Sequence, residues 1–127
     1  MCIRDSNRII DVFPPEQQEQ IRAQISTSLK MVVTQRLLKT KDGQGRCAAF
    51  EIMKCTAPIQ NLIREAKASQ VYSQLQIGGK FGMQTLEQCL SQLVAKNLIT
   101  TDEALYKCNR PNVLKGLLEE INSEITN

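Results

Sequence analysis

Apolar positions along this chain recur at two periods. Ile21, Ile25, Leu29, Val32 and Val33 follow one another at spacings of 4, 4, 3 and 1, the stripe of an amphipathic helix, and this predicts a helix from Pro15 to Thr34. Pro14-Pro15 suits its start, because proline gives up no needed N–H in a first turn, and Glu16 and Glu19 suit the positive end of the dipole. Gln35–Lys39 and Arg46–Met53 read as two strands joined by the turn-rich Thr40-Lys41-Asp42-Gly43-Gln44-Gly45, a hairpin. After Thr56 the pattern is helical throughout. Pro58 opens a helix with Ile59, Leu62, Ile63 and Ala66 on one face, and Ser69 stands where it would cap a second, carrying Val71, Tyr72 and Leu75 and stopped by Gly78-Gly79. Leu86, Cys89, Leu90, Leu93 and Val94 sit at i, i+3, i+4, i+7 and i+8, with Asn97 as a left-handed stop. Thr100-Thr101-Asp102-Glu103 has capping-box spacing, and Pro111 begins a last helix turning Val113, Leu114, Leu117, Leu118 and Ile121 inward.

Composition narrows the class. The chain has 127 residues, 42% apolar and 23% charged, which fits one globular domain or a piece of a larger one and excludes a disordered tail, a collagen-like fibre and a disulfide miniprotein. Sixteen basic against 13 acidic residues leave a net charge of +3, too small to argue for a nucleic-acid partner. The longest uncharged apolar run, Met31-Val32-Val33, is far short of a membrane span.

Chemistry is sparse. The five cysteines (Cys2, Cys47, Cys55, Cys89, Cys108) are widely spaced without a C-x-x-C, and read as free thiols of a reducing compartment. There is no histidine, so neither a zinc site of ordinary spacing nor a Ser-His-Asp or Cys-His nucleophile is expected. Gly78-Gly79-Lys80-Phe81-Gly82 is the nearest thing to a phosphate loop, but it lacks the Ser or Thr and follows a helix, so it reads as a helix stop. Asp42-Gly43-Gln44-Gly45-Arg46 reads as a turn, and Asp102-Glu103 and Glu119-Glu120 as solvated charge. Met1 to Ser6 (Met-Cys-Ile-Arg-Asp-Ser) fit nothing that follows and resemble a translated adaptor scar, which implies that the remainder is a carboxyl-terminal part of something longer.

Four segments, in order, resemble one family. Thr56-Ala57-Pro58-Ile59-Gln60-Asn61-Leu62-Ile63-Arg64-Glu65 is similar to the A-I-R-N-L-I-R-E motif of type IV pilus retraction ATPases, the PilT-like twitching-motility family. Arg8–Pro14 resembles the segment after that family's nucleotide-site core, Gly45–Met53 its G-R-x-A-A-x-E-I-M strand, and Gly82–Leu86 its G-M-Q-T helix entry.

The resemblance implies an α/β fold, the carboxyl-terminal part of a RecA-like secretion-ATPase domain. Residues 1–6 would then be a non-native leader, 7–57 the end of the ATPase core with helix and hairpin, and 58–127 a helical subdomain carrying the retraction motif. It further implies a cytoplasmic homo-hexamer beneath the pilus base at the inner membrane, engaging the pilus platform machinery and using ATP and Mg2+ to drive pilus disassembly. The family's phosphate loop, metal-site acids and catalytic carboxylate lie upstream, so no catalytic residue is carried over and this chain alone is expected to bind no nucleotide. The motif residues carried over are Ile59, Asn61, Leu62, Ile63, Arg64 and Glu65, with Ile59, Leu62 and Ile63 core-facing and the rest a coupling surface; Arg46 and Glu51 are nucleotide-proximal or structural candidates. Pro58 and Gln60 stand where the family has Ala and Arg, as an accessory retraction paralogue would allow. The alternatives are a pilus-extension or type II secretion ATPase, or a non-enzymatic helical interaction or DNA-binding module.

Overall fold

A computed structural model describes residues 8–126; the Met1–Ser6 leader and Cys2 lie outside the described residues. After a helical turn over residues 8–11 the order is helix α1 (Pro15–Ser28), strands β1 (Met31–Lys39) and β2 (Arg46–Lys54), then helices α2 (Ala57–Arg64) and α3 (Ala68–Ile77). A 3-10 turn (Gly79–Phe81) leads to α4 (Leu86–Ala95), α5 (Thr101–Lys107) and α6 (Pro111–Thr126). The strands pair as a two-stranded hairpin, and the α/β class with a mostly helical remainder holds. The chain divides into two compact units, one running through Thr34 and resuming at Glu51–Gln84, the other made of Gln35–Phe50 and the residues from Thr85 on.

In the first unit α1 starts at Pro14-Pro15 as expected but ends at Ser28, not at Thr34. Leu29 is already extended, with φ −71° and ψ 128°, and Met31–Thr34 alternate between exposed and half-buried as the first half of β1. Four residues are too few to separate a 3.6 period from a period of two. The β-branched run Val32-Val33-Thr34 prefers the strand, where such side chains keep their χ1 freedom and pair with β2. α1 packs on α2, over a core of Met53, Ile59, Ile63, Val71, Leu75 and Met83.

α2 ends in a Schellman turn. The Lys67 N–H donates to the Leu62 carbonyl at 2.9 Å and the Ala66 N–H to the Ile63 carbonyl at 3.2 Å, with Ala66 at φ 57°. Ala66 is therefore an exposed left-handed residue, not a member of the buried face as expected, because the helix has already ended at Arg64, two residues earlier. Ser69 likewise does not cap α3; Lys67 holds the N-cap position, without a side-chain hydrogen bond, since the tight turn brings the helix start forward. Alanine at a left-handed position is strained by its Cβ. Ala66→Gly is thus expected to raise stability by about 0.5–1 kcal/mol, seen as a higher urea midpoint at unchanged slope.

The second unit is built on three further capping devices. The Thr85 hydroxyl accepts the Gln88 N–H at 3.1 Å while the Gln88 side chain accepts the Thr85 N–H at 3.0 Å, a complete capping box at the head of α4. Asn97, at φ 60°, closes that helix by the same Schellman pattern, with the Leu98 N–H on the Leu93 carbonyl at 3.0 Å. At α5 the Thr100 hydroxyl accepts the Glu103 N–H, and the Glu103 carboxylate accepts the Lys39 N–H of β1 at 3.2 Å. Leu38, Ala49, Leu86, Leu90, Ile99, Ala104 and Leu114 form this unit's core.

Candidate functional site

The motif helix α2 is short, so its faces are unambiguous. Ile59 and Ile63, one turn apart, are buried, whereas Asn61, Arg64 and Glu65 are exposed. Leu62, expected in the core, is only half-buried: it lies 100° round the helix from Ile63, at the edge of the apolar arc, and packs on the core's rim. Asn61 and Arg64 are three residues apart and share one surface. The Glu65 carboxylate meets the Lys67 ammonium at 3.1 Å, an exposed pair held loosely by the geometry of the turn. Pro58 occupies the second helical position, where its missing N–H removes nothing from the ladder.

β2 separates the two remaining candidates. Arg46 and Glu51 are an odd number of residues apart and therefore point to opposite faces of the strand. Arg46 is exposed, while Glu51 is buried in line with Ala49 and Met53. The turn before Arg46 is ordered by Asp42, whose carboxylate accepts the Thr40 hydroxyl at 2.6 Å and the Gln44 N–H at 2.9 Å; these bonds, the hydroxyl's first, hold its carboxyl below the usual range. Gly78–Gly82 forms the 3-10 turn and then runs into Gln84, which exchanges two backbone hydrogen bonds with Ile52. A phosphate cradle would instead open a helix amino end directly after a strand, so these residues do not fit a nucleotide's phosphates.

Sequence reasoning missed Glu87. It is 1% exposed, and its Oε1 accepts the backbone N–H groups of Asn109 at 3.1 Å and Arg110 at 2.9 Å, immediately before the first residue of α6. The available signal was an acid in the first turn of α4, which alone suggests a solvated dipole partner. Cys47, Cys55, Cys89 and Cys108 are free and half-buried. Burial pushes the thiols of Cys47, Cys55 and Cys108 up; Cys89 adds to this at Cys47 and Glu87 at Cys108, while Lys30 offsets part of it at Cys55. Little thiolate then exists near neutral pH, so none of the three is a poised nucleophile. Among the described residues no group of His, Cys, Asp and Glu could hold a metal ion, and no helix is long and apolar enough to cross a membrane.

No family model matches the chain. It is 50% identical over 105 residues to the type IV pilus retraction ATPase PilT of Pseudomonas aeruginosa, a match covering 83% of this chain and 30% of that protein. It is 47% identical over 98 residues to a twitching motility protein of Neisseria gonorrhoeae, covering 77% of this chain and 26% of the relative. Its fold superposes on the crystal structure of the pilus retraction motor PilT with bound ADP at a TM-score of 0.79 and 39% identity, over 90% of this chain and 31% of the other. The chain is a PilT-like segment. It spans about 30% of the length of the curated relatives it matches. Within that segment, the PilT-like motif is a helix whose isoleucines are spent on the core and whose Asn61 and Arg64 are left at the surface.

Proposed function

We propose that the protein works as a hexameric type IV pilus retraction motor, coupling ATP hydrolysis to pilus disassembly and twitching motility. Half identity to PilT over 105 residues, running through the motif helix, is the observation that carries this reading. In it, residues 7–57 end the RecA-like ATPase core and residues 58–127 form the helical subdomain. The protein is cytoplasmic and peripheral to the inner membrane at the pilus base. In this reading the longer protein holds ATP and Mg2+, and the glycine turn at Gly78–Gly82 is not the phosphate site.

The polar face of α2 supports an output role. Asn61 and Arg64 are exposed on a helix anchored from behind by Ile59 and Ile63, so a load applied there is borne by the core of the first unit. A pilus platform protein is the partner this reading calls for. The test is complementation: the longer protein carrying this segment should hydrolyse ATP and restore twitching to a retraction-deficient host, while the 127-residue chain alone should turn over no ATP above a buffer blank. Restored pilus assembly or type II secretion without retraction would assign the chain to the extension or secretion ATPases instead.

A further inference from the structure

The loop between α3 and α4 carries a surface that the motif helix alone does not explain. A cavity of about 400 Å³ opens there in the first unit, its apolar walls Ile77, Phe81, Met83 and Pro58 and its polar edge Thr56, Gln74 and Lys80. That volume is within the roughly 300–1,000 Å³ of cavities that take organic groups. Met83 is the buried floor, and Gly78 lies against it so closely that a Cβ there would collide with the Met83 Cε. The walls stand in solvent: Ile77 is 71% and Phe81 50% exposed. Two large apolar side chains flanking one cavity are costly to leave wet.

The one charged residue that lines the cavity is basic. Lys80 stands over the Phe81 ring at 5.1 Å, and no lining residue carries a carboxylate. Lys54 reaches Gly82, its Nζ 3.0 Å from where a Cβ on that glycine would lie. Thr56 and Pro58 bring the amino end of α2 to the same edge, and Thr56 makes no side-chain cap hydrogen bond there. An apolar cavity whose one charged lining residue is Lys80, with Lys54 close by at Gly82, favours an aliphatic group flanked by carboxylates.

We propose that this cavity docks a short acidic, aliphatic segment of a partner protein. A leucine-like side chain fills the space between Ile77, Phe81 and Met83, and neighbouring carboxylates meet Lys80, Lys54 and the head of α2. Docking here abuts the motif helix, so the partner would engage both surfaces of the first unit. The inference rests on the surface chemistry, and its failure would leave the relation to PilT untouched.

The probe is a fluorescein-labelled hexapeptide with two central leucines flanked by aspartate and glutamate, read by anisotropy against the full chain. Two controls replace its acids by lysines or its leucines by serines. Saturable binding about tenfold or more tighter than to either control is expected, weakening as salt is raised. Ile77→Ser and Lys80→Glu, both at exposed positions, should each weaken binding about tenfold or more without changing the circular dichroism or the amide exchange of α3. Equal binding of the lysine peptide, no binding at all, or indifference to both substitutions overturns the proposal. So does self-association in sedimentation that Ile77→Ser abolishes while peptide binding is absent, which would make the face an interface between copies.

Discussion

Glu87→Ala is expected to destabilise the protein by about 2–4 kcal/mol, more than any surface charge in the chain would. The carboxylate is buried between two helix heads. It sits in the first turn of α4, and it accepts the Asn109 and Arg110 N–H groups at the head of α6. Helix amino ends always leave donors unpaired, and Pro111 at the first position of α6 supplies none of its own to share. Removing the side chain strands two part-buried donors and cuts the tie between residues more than twenty apart in sequence. Glu87→Gln keeps one acceptor oxygen and should cost about half as much. Two measurements check this: the urea midpoint, and the exchange rates of the Asn109 and Arg110 amides, which should rise about tenfold or more in the alanine variant. Unchanged exchange at those two amides would remove Glu87 from its structural role.

The same residue marks where the sequence stopped being legible. An acid in a first turn is locally satisfied by its own helix, and nothing nearby says that α6 will arrive to bury it. Met31–Thr34 failed for the same reason. Their spacing continues the stripe of Ile21 and Ile25, and only pairing with β2 makes them strand. Ala66 and Ser69 went astray through a Schellman turn built on alanine, a residue that gives no sign of a left-handed conformation. By contrast, the Thr100 cap, the Asn97 stop and the Asp42 turn are set by residues close together in sequence, and each was legible there. The motif helix belongs to both groups. Its buried isoleucines follow from spacing, while the meaning of Asn61 and Arg64 came from resemblance, since an exposed Arg on a short helix has no physical signature of its own.

Arg64→Ala and Ile59→Ala should therefore part company in the longer, PilT-like protein. Arg64 is exposed, its side chain at the surface beside Asn61, and its loss is expected to change stability by about 0.5 kcal/mol or less. Ile59 is 0% exposed in the core of the first unit, and truncating it should cost about 2–5 kcal/mol through lost transfer energy and the cavity left behind. Leu62→Ala, at the rim, should fall between the two. If the polar face of α2 transmits force, Arg64→Ala abolishes twitching while nucleotide affinity and hexamer assembly stay at wild-type levels. Ile59→Ala lowers all three together, because the fold that carries them is weakened. Measuring motility, nucleotide affinity and urea midpoint on the same variants separates a coupling surface from a scaffold. Normal twitching in Arg64→Ala, or twitching lost only in step with the urea midpoint, would return α2 to a purely structural role.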